Sequence, residues 1–518
     1  MNVGNWLAKW SEATPHKTAL IEYESGRKWS YAELDERANR VANMLRDQLG
    51  VSKGDRLAVL AANRIEQIEL FFGVCKLGAI LVPINWRLAP EEVAWILDQS
   101  ESKLLFYDRD CSQTVDSLAG DSWKGACISM EGDGENAYPK RLKRAACAFV
   151  AADVSQDTPL MLLYTSGTTG RPKGAILTHG SITWNAVNTS VCWDLHHDDM
   201  TLTHTPLFHT GGWNVLTLPL LHHGAGVVLM SRFDPAAALD AVDRHRVSVM
   251  FAVPTMFQMM LEAENFARVD LSCVRFFISG GASCPLPLIA AYQKRRVVFK
   301  QGYGLTEVGP NCFVLHEKDA VTRAGSVGFA VLHLDSRIVD RAGHEVASGE
   351  VGELQLRGPT VCAGYWKNPK ATKAAMDKDG WFATGDLFMK DQQGYHYVVG
   401  RLKEMYISGG ENVYPAEIER VLYDFPGVVE AAVVGVPDQK WGEVGQAFIA
   451  IAGSGEAQDT EAGSILAFMR QRLARYKVPK QLSIMESLPK GSSGKILKTE
   501  LHKLACERRS VPGSGSAS

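Results

Sequence analysis

The sequence offers no cysteine pairing pattern. Its 10 cysteines include no CxxC pair and show no Cys/His ligand spacing, which excludes the common zinc motifs and a disulfide framework and points to mostly buried thiols in a reducing, cytoplasmic setting. The opening stretch MNVGNWLAKWSEATPHK has no apolar core of the kind a signal peptide carries. Long hydrophobic runs are scarce as well. The stretch 71–84 is interrupted by Lys76 and Gly78 and is too short to span a bilayer. Nor is there an excess of charge of one sign. Lys+Arg total 55, Asp+Glu total 58, and the net charge is -3, which removes the electrostatic case for nucleic acid or an anionic membrane as partner.

What is present describes an ordinary globular chain, 46% hydrophobic and 22% charged. Its 518 residues correspond to about three or four domain-sized units, fewer if they are large α/β domains. Such a chain buries large cores without disulfides or structural metal. Ser30 and Glu33 have the spacing of a capping box, followed by Leu34, Ala38, Val41 and Leu45 at helical period. Residues 56–61 read as a strand, 66–77 as a helix and 79–84 as a strand, a βαβ unit that implies a parallel sheet and a right-handed crossover. The alternation returns at 226–230, 235–245, 247–252, 274–279, a helix from Pro285, and 297–302. Ligands of such sheets bind beyond the carboxyl ends of the strands. The stretch 138–152 is a poorly patterned connection. Beyond Gly400-Arg401-Leu402-Lys403 the texture changes to helix 415–423, strands 428–436 and 446–451, helix 464–473 and a last helix after Ile496. The Gly/Ser-rich end, 511–518, reads as a disordered tail.

The apolar run 160–164 empties into Thr165-Ser166-Gly167-Thr168-Thr169-Gly170-Arg171-Pro172-Lys173-Gly174. Small residues let backbone N–H groups approach an anion, hydroxyls add donors and Lys173 adds charge. Glycine loops of this kind also occur as plain surface turns, and this one does not match GxxxxGK[ST]. The whole string resembles the signature of the AMP-forming acyl-CoA synthetases, within the adenylate-forming ligase superfamily. Gln301-Gly302-Tyr303-Gly304-Leu305-Thr306-Glu307 resembles that family's adenine and magnesium motif. Trp381-Phe382-Ala383-Thr384-Gly385-Asp386 resembles its ribose motif, Gly400-Arg401-Leu402-Lys403 its hinge, and Pro489-Lys490-Gly491-Ser492-Ser493-Gly494-Lys495-Ile496-Leu497 its C-terminal catalytic loop. The motifs follow in the family's order and span roughly residues 10 to 505.

The resemblance implies an α/β fold. A large N-terminal compound domain (1–400) has parallel-type sheets flanked by helices, and a hinge (401–403) leads to a small mobile α+β C-terminal domain (404–510). It also implies a two-step reaction. A carboxylic acid attacks the α-phosphate of ATP to give acyl-AMP and pyrophosphate, and the thiol of CoA then displaces AMP. In that scheme residues 165–173 cradle the β- and γ-phosphates, with Thr165, Ser166, Gly167, Thr168, Thr169, Gly170 and Lys173 as contacts. Thr306 bonds the α-phosphate and Glu307 holds Mg2+, a hard ion that prefers oxygen. In isolation Glu307 would read as an acid at a helix N-terminus. Tyr303 offers a face to adenine opposite the backbone of Gly281 and Ala282, Asp386 accepts the ribose hydroxyls, and Arg401 adds a ribose or phosphate contact. Lys495 bridges the substrate carboxylate and the α-phosphate. Rotation about Lys403 then withdraws Lys495 and brings Ser408, Gly409 and Gly410 to the acyl site, where CoA binds.

Pro206-Leu207-Phe208-His209-Thr210-Gly211-Gly212-Trp213-Asn214 follows another apolar run. His209 resembles a family gate, and a satisfied core histidine is the competing reading. Trp213 and Asn214 either size the acyl pocket or pack. Phe251 and Val253 form one expected wall, and Gly280, Gly281 and Gly302 another that leaves room for a long or flat group. The stretch 206–214 contains no carboxylate, which disfavours an amino acid and favours a fatty or aryl carboxylic acid. The leading reading is an acid–CoA ligase using ATP, CoA and Mg2+, with a homodimer left open. A stand-alone enzyme loading a carrier-protein phosphopantetheine is the alternative. A non-catalytic acyl-adenylate-binding protein is a third reading, disfavoured because Thr165, Thr306, Glu307, Asp386, Arg401 and Lys495 are all present.

Overall fold

The βαβ unit forms where its pattern places it. Strands Arg56–Leu60 and Ile80–Ile84 pair in parallel around helix Ile65–Leu77. Every residue of that helix except Glu66 is buried, so its apolar side chains cover all faces rather than one stripe. The computed structural model that establishes this describes residues 2–118, 123–165, 171–451, 458–491 and 494–510. The tail at 511–518, the loop core 166–170 and Ser492-Ser493 lie outside the described residues.

Two sheets enclose that helix. The first runs Ala126–Ser129, Ser102–Tyr107, Arg56–Leu60, Ile80–Ile84, Pro159–Thr165, Lys173–Thr178. It is parallel up to its last, antiparallel pair. The second runs Phe299–Gln301, Phe276–Ser279, Val249–Ala252, Met200–Thr203, Gly226–Leu229, Thr18–Glu22, Lys28–Ser30, again parallel except for the last pair. Side chains alternate faces along each strand. Leu57, Val59 and Leu81 join Val227, Val249, Phe276 and Ile278 in the core between the sheets. Ala58, Leu60 and Val82 turn outward under helix Pro90–Ser100. Met250, Phe277 and Phe299 turn outward under helices Pro235–Arg244, Pro254–Glu262 and Leu286–Lys294. Helix, sheet, helix, sheet, helix therefore alternate, and both faces of each parallel sheet are covered.

An antiparallel sheet follows: Asp335–Val339, Val351–Arg357, Phe382–Lys390, His396–Arg401. The chain then builds a separate sheet from Tyr406–Ser408, Glu411–Val413, Val428–Asp438, Gly442–Ile451 and Gln481–Met485. Helices Pro415–Tyr423, Gln458–Arg470 and Lys498–Ser510 flank it. The capping box at Ser30 and Glu33 is formed reciprocally. All 10 cysteines are free thiols. Among the described residues no helix is long and apolar enough to cross a membrane.

The connection at 138–152 is more ordered than its pattern suggests, because Tyr138–Arg144 is helical. That helix docks through Tyr138 and Leu142 alone, too few positions to display a period. Its anchor is polar. Tyr138 Oη donates to Glu69 Oε2 at 2.7 Å, and Arg37 donates to both oxygens of Glu69, which has no solvent exposure. A buried carboxylate stripped of its cation is strongly destabilising. Arg37→Met is therefore expected to lower the stability of the large N-terminal part by about 3 kcal/mol, read as a fall in its urea midpoint.

Candidate active site

The phosphate loop springs from a hairpin in which Thr165 faces Lys173 across the strand pair. Residues 363–366 run beside the second strand: Ile176 N donates to Gly364 O, Trp366 N donates to Gly174 O, and Ala175 bridges Tyr365. This brings Tyr365 to the loop, with the Lys173 ammonium 5.4 Å from its ring centroid. Tyr365 Oη donates to Glu307 Oε1 at 3.0 Å, and Thr165 Oγ1 donates to the same oxygen at 3.2 Å. Glu307 is buried and sits in the turn 306–308, where no helix begins. The helix-terminus reading of Glu307 is thereby ruled out. Tyr365 escaped the sequence analysis because its partners lie far away along the chain and no periodicity links them.

The motif at 301–307 follows the carboxyl end of strand Phe299–Gln301, and the segment 280–283 follows that of strand Phe276–Ser279. Ser279 and Gln301 are register partners and Gly302 N donates to Ser279 O, so the two loops emerge side by side. Gly281 and Ala282 are exposed on the cleft side. Tyr303 packs edge-on against Phe388 at 4.7 Å and its Oη donates to Asp386 Oδ2 at 2.6 Å. Asp386 and Arg401 are register partners across an antiparallel pair, and Arg401 Nε lies 2.9 Å from Asp386 Oδ1. Two motifs separated in sequence are thus joined by strand pairing. Thr384 Oγ1 accepts from Asp386 N and donates to Leu354 O, which fixes the carboxylate's backbone.

Lys495 arrives from the other side. Its loop is closed by Gly491 N donating to Lys495 O at 2.7 Å and by a bridge between Lys490 and Ile496. It meets the large N-terminal part where Thr255 Oγ1 donates to Gly494 O at 3.2 Å. The Lys495 side chain lies over Gly281. A Cβ built on that glycine would stand 2.9 Å from Lys495 Cε, and its φ of +82° already excludes most side chains. Lys495 retains solvent access. Crowding by surrounding protein lowers its ammonium pKa, Arg401 adds to the effect and Asp386 opposes it.

The residues expected to line the acyl side are glycines packed on Phe251, Ile278 and Val253. A Cβ on Gly211 would stand 3.0 Å from Phe251 Cε1, and a Cβ on Gly280 would stand 3.2 Å from Phe251 Cε2. The ring therefore fills the gap between those two loops. A Cβ on Gly302 would meet Ile278 Cδ1 at 2.9 Å, and Val253 Cγ1 and Cγ2 face Gly281 and Gly494. Trp213 belongs to the core rather than the pocket. It is 1% exposed, stacks obliquely on Phe71 at 5.0 Å, and its Nε1 donates to Leu207 O. Asn214 donates to Thr210 Oγ1 at 3.1 Å and lines a small void with Thr210, Thr306 and Thr360. Lys403 lies exposed in the turn 402–404. Ser408 ends a strand, and Gly409 and Gly410 are exposed at its hairpin tip, with φ of +61° and +90°. In this orientation the tip faces solvent.

His209 Nε2 is buried without a partner. Burial pushes its imidazole down to about 4, and the nearby Lys495 and Arg87 reinforce the shift. Burial also holds His179, His204 and His222 at about 4, against an ordinary value of 6.5. These rings are neutral when folded and take up protons on unfolding between those values. The stability they contribute is full above pH 6.5 and is lost as pH falls toward 4. Urea midpoints measured across that range should decline toward acid, and His209→Asn should reduce the slope by about one proton.

Comparisons with known proteins find relatives along nearly the whole chain. The AMP-binding enzyme family matches residues 7–366, and the AMP-binding enzyme C-terminal domain matches residues 417–495. A feruloyl-CoA synthase of Amycolatopsis sp is 41% identical over 97% of this chain and 98% of its own. A long-chain-fatty-acid–CoA ligase of Mycobacterium tuberculosis is 37% identical over 97% and 98%. Among solved structures, an anthranilate CoA ligase in complex with anthranoyl-AMP superposes with a TM-score of 0.90 at 28% identity, covering 98% of each chain.

Proposed function

Because this chain belongs to the AMP-binding enzyme family and is an AMP-forming acid–CoA ligase, we propose that its acid is a flat aryl or arylalkenyl carboxylic acid. The observation that carries this reading is the Phe251 ring seated between Gly211 and Gly280. On this reading the glycine backbone of the two loops would bound a narrow slot whose end is the aromatic edge. A planar acid with its carboxylate toward Gly281 and Lys495 fits such a slot, whereas an extended alkyl chain would have to displace the ring. The greater identity to the feruloyl-CoA synthase than to the fatty-acid ligase supports the same choice.

In the first half-reaction the carboxylate oxygen attacks the α-phosphorus of ATP and pyrophosphate leaves. Lys495 offsets charge between the carboxylate and the α-phosphate, Thr306 donates to the α-phosphate, and Lys173 with the loop backbone receives the departing pyrophosphate. Asp386 exchanges its contacts with Tyr303 and Arg401 for ribose hydroxyls. Glu307 and Thr165 present only oxygen atoms beside the phosphate loop, a donor set that suits Mg2+, and Tyr365 and Thr165 hold the Glu307 carboxylate in place. When bound there, Mg2+ would neutralise phosphate charge. In the second half-reaction the CoA thiol attacks the acyl carbon and AMP leaves. For this step the small unit, 404–510, turns on Lys403 relative to the large unit, 1–400. The turn carries Lys495 out and the Ser408–Gly410 tip in. Neutral His209 beside the pocket can move aside without losing an ion pair. Both nucleotide substrates are cytoplasmic, and the enzyme is assigned to that compartment.

Acid-dependent pyrophosphate exchange tests the substrate reading. Cinnamate-type acids should outperform dodecanoate, and Phe251→Ala should shift the ratio of their kcat/KM values by roughly tenfold toward dodecanoate. An unchanged ratio in a folded variant would refute the slot. Separately, Lys495→Ala should reduce exchange by on the order of a hundredfold while thioester formation from supplied acyl-AMP persists. Equal loss in both half-reactions would count against the turning of the small unit.

A further inference from the structure

Lys498 lies one turn beyond Lys495, at the start of helix Lys498–Ser510. Its Nζ stands 2.7 Å from Glu419 Oε1 and 3.0 Å from Glu404 Oε2. Glu419 belongs to helix Pro415–Tyr423, and Glu404 is the first residue after the hinge residue Lys403. All three side chains are largely buried, with 23%, 14% and 30% exposure for Lys498, Glu419 and Glu404. A buried cation between two carboxylates is more than a surface ion pair. Burial alone would disfavour the ammonium, but Glu419 and Glu404 outweigh it and raise its pKa.

On the near side of the hinge, the backbone N–H groups of Glu404 and Met405 donate to Arg401 O at 3.0 and 3.1 Å. Glu404 also contributes to the field that favours the Arg401 cation. Charges of alternating sign therefore run from Asp386 through Arg401, Glu404 and Lys498 to Glu419. The hinge residue Lys403 lies between Arg401 and Glu404. Rotation there breaks the chain at one point and leaves Glu404, Lys498 and Glu419 moving together.

We propose that Lys498 is a positioning residue that braces the catalytic loop: by clamping Glu404 and Glu419 it pins the start of helix Lys498–Ser510, and with it the loop that carries Lys495, to the body of the small unit, so that Lys495 is held out over Gly281. The proposal rests on the acid–CoA ligase reading above. It makes the brace necessary for adenylation, when Lys495 must reach across the cleft, and dispensable for thioester formation, when Lys495 is withdrawn. A merely structural ion cluster would serve both steps equally.

The experiment measures both half-reactions in the full chain for Lys498→Met, Glu404→Gln and Lys498→Arg. The brace predicts that the first two variants lose acid-dependent pyrophosphate exchange by on the order of 5- to 150-fold, the range of a typical coupling between sites. Thioester formation from supplied acyl-AMP and CoA should hold, and Lys498→Arg should retain exchange. A parallel fall of both half-reactions, or no fall in exchange, overturns the proposal. Thermal unfolding of each variant separates a lost fold from a lost orientation. If the unmodified protein exchanges pyrophosphate with no acid at all, the ligase reading itself has failed.

Discussion

The whole site depends on one close approach, the Lys495 side chain lying across the backbone of Gly281. Thr165, Glu307, Tyr303 and Asp386 come from strand ends and turns of the large N-terminal part. The ammonium that completes them comes from a loop that follows the last sheet of the chain. Neither part holds the full set. A glycine with positive φ at 281 lets the lysine approach where any side chain would keep it out. Thr255 Oγ1 also meets the carbonyl of Gly494 across the two parts, and Val253 Cγ2 faces the same glycine.

Local charge does what net charge cannot. The protein carries -3 overall, yet ATP and CoA are polyanions. The cations around the cleft are held singly and in defined settings: Lys173 over the Tyr365 ring, Arg401 against Asp386 and Lys495 over Gly281, with Lys498 behind them between two glutamates. Each is positioned by a neighbour that also belongs to the site, so electrostatics and geometry are fixed by the same contacts.

Much of the fold was legible because parallel sheets demand buried strands with period-2 faces and crossover helices between them. The unit at 56–84 and the capping box at Ser30 formed as their patterns indicated. The helix Tyr138–Arg144 did not show, since two apolar anchors and one hydroxyl on Glu69 leave no periodic trace. At the site, the motif strings offered Thr306, Glu307, Asp386, Arg401 and Lys495 as candidates. They did not identify Tyr365, whose role exists only because residues 363–366 run beside the phosphate hairpin. Trp213 illustrates the opposite case. It stands in a motif-like string, but its ring faces Phe71 in the core.

The sequence by itself determined the family and the two-step chemistry and nominated the groups for it, because those depend on residue types at short spacing. Only the tertiary structure decided which groups meet. Register pairs Asp386 with Arg401, and loop closure sets Lys495 over Gly281. Sheet packing seats Phe251 between Gly211 and Gly280 and sends Trp213 inward. The physical reason is range: a motif records what neighbours along the chain can do, whereas a pocket's shape and a clamp such as Glu404–Lys498–Glu419 are made by residues that only folding brings within a few ångströms.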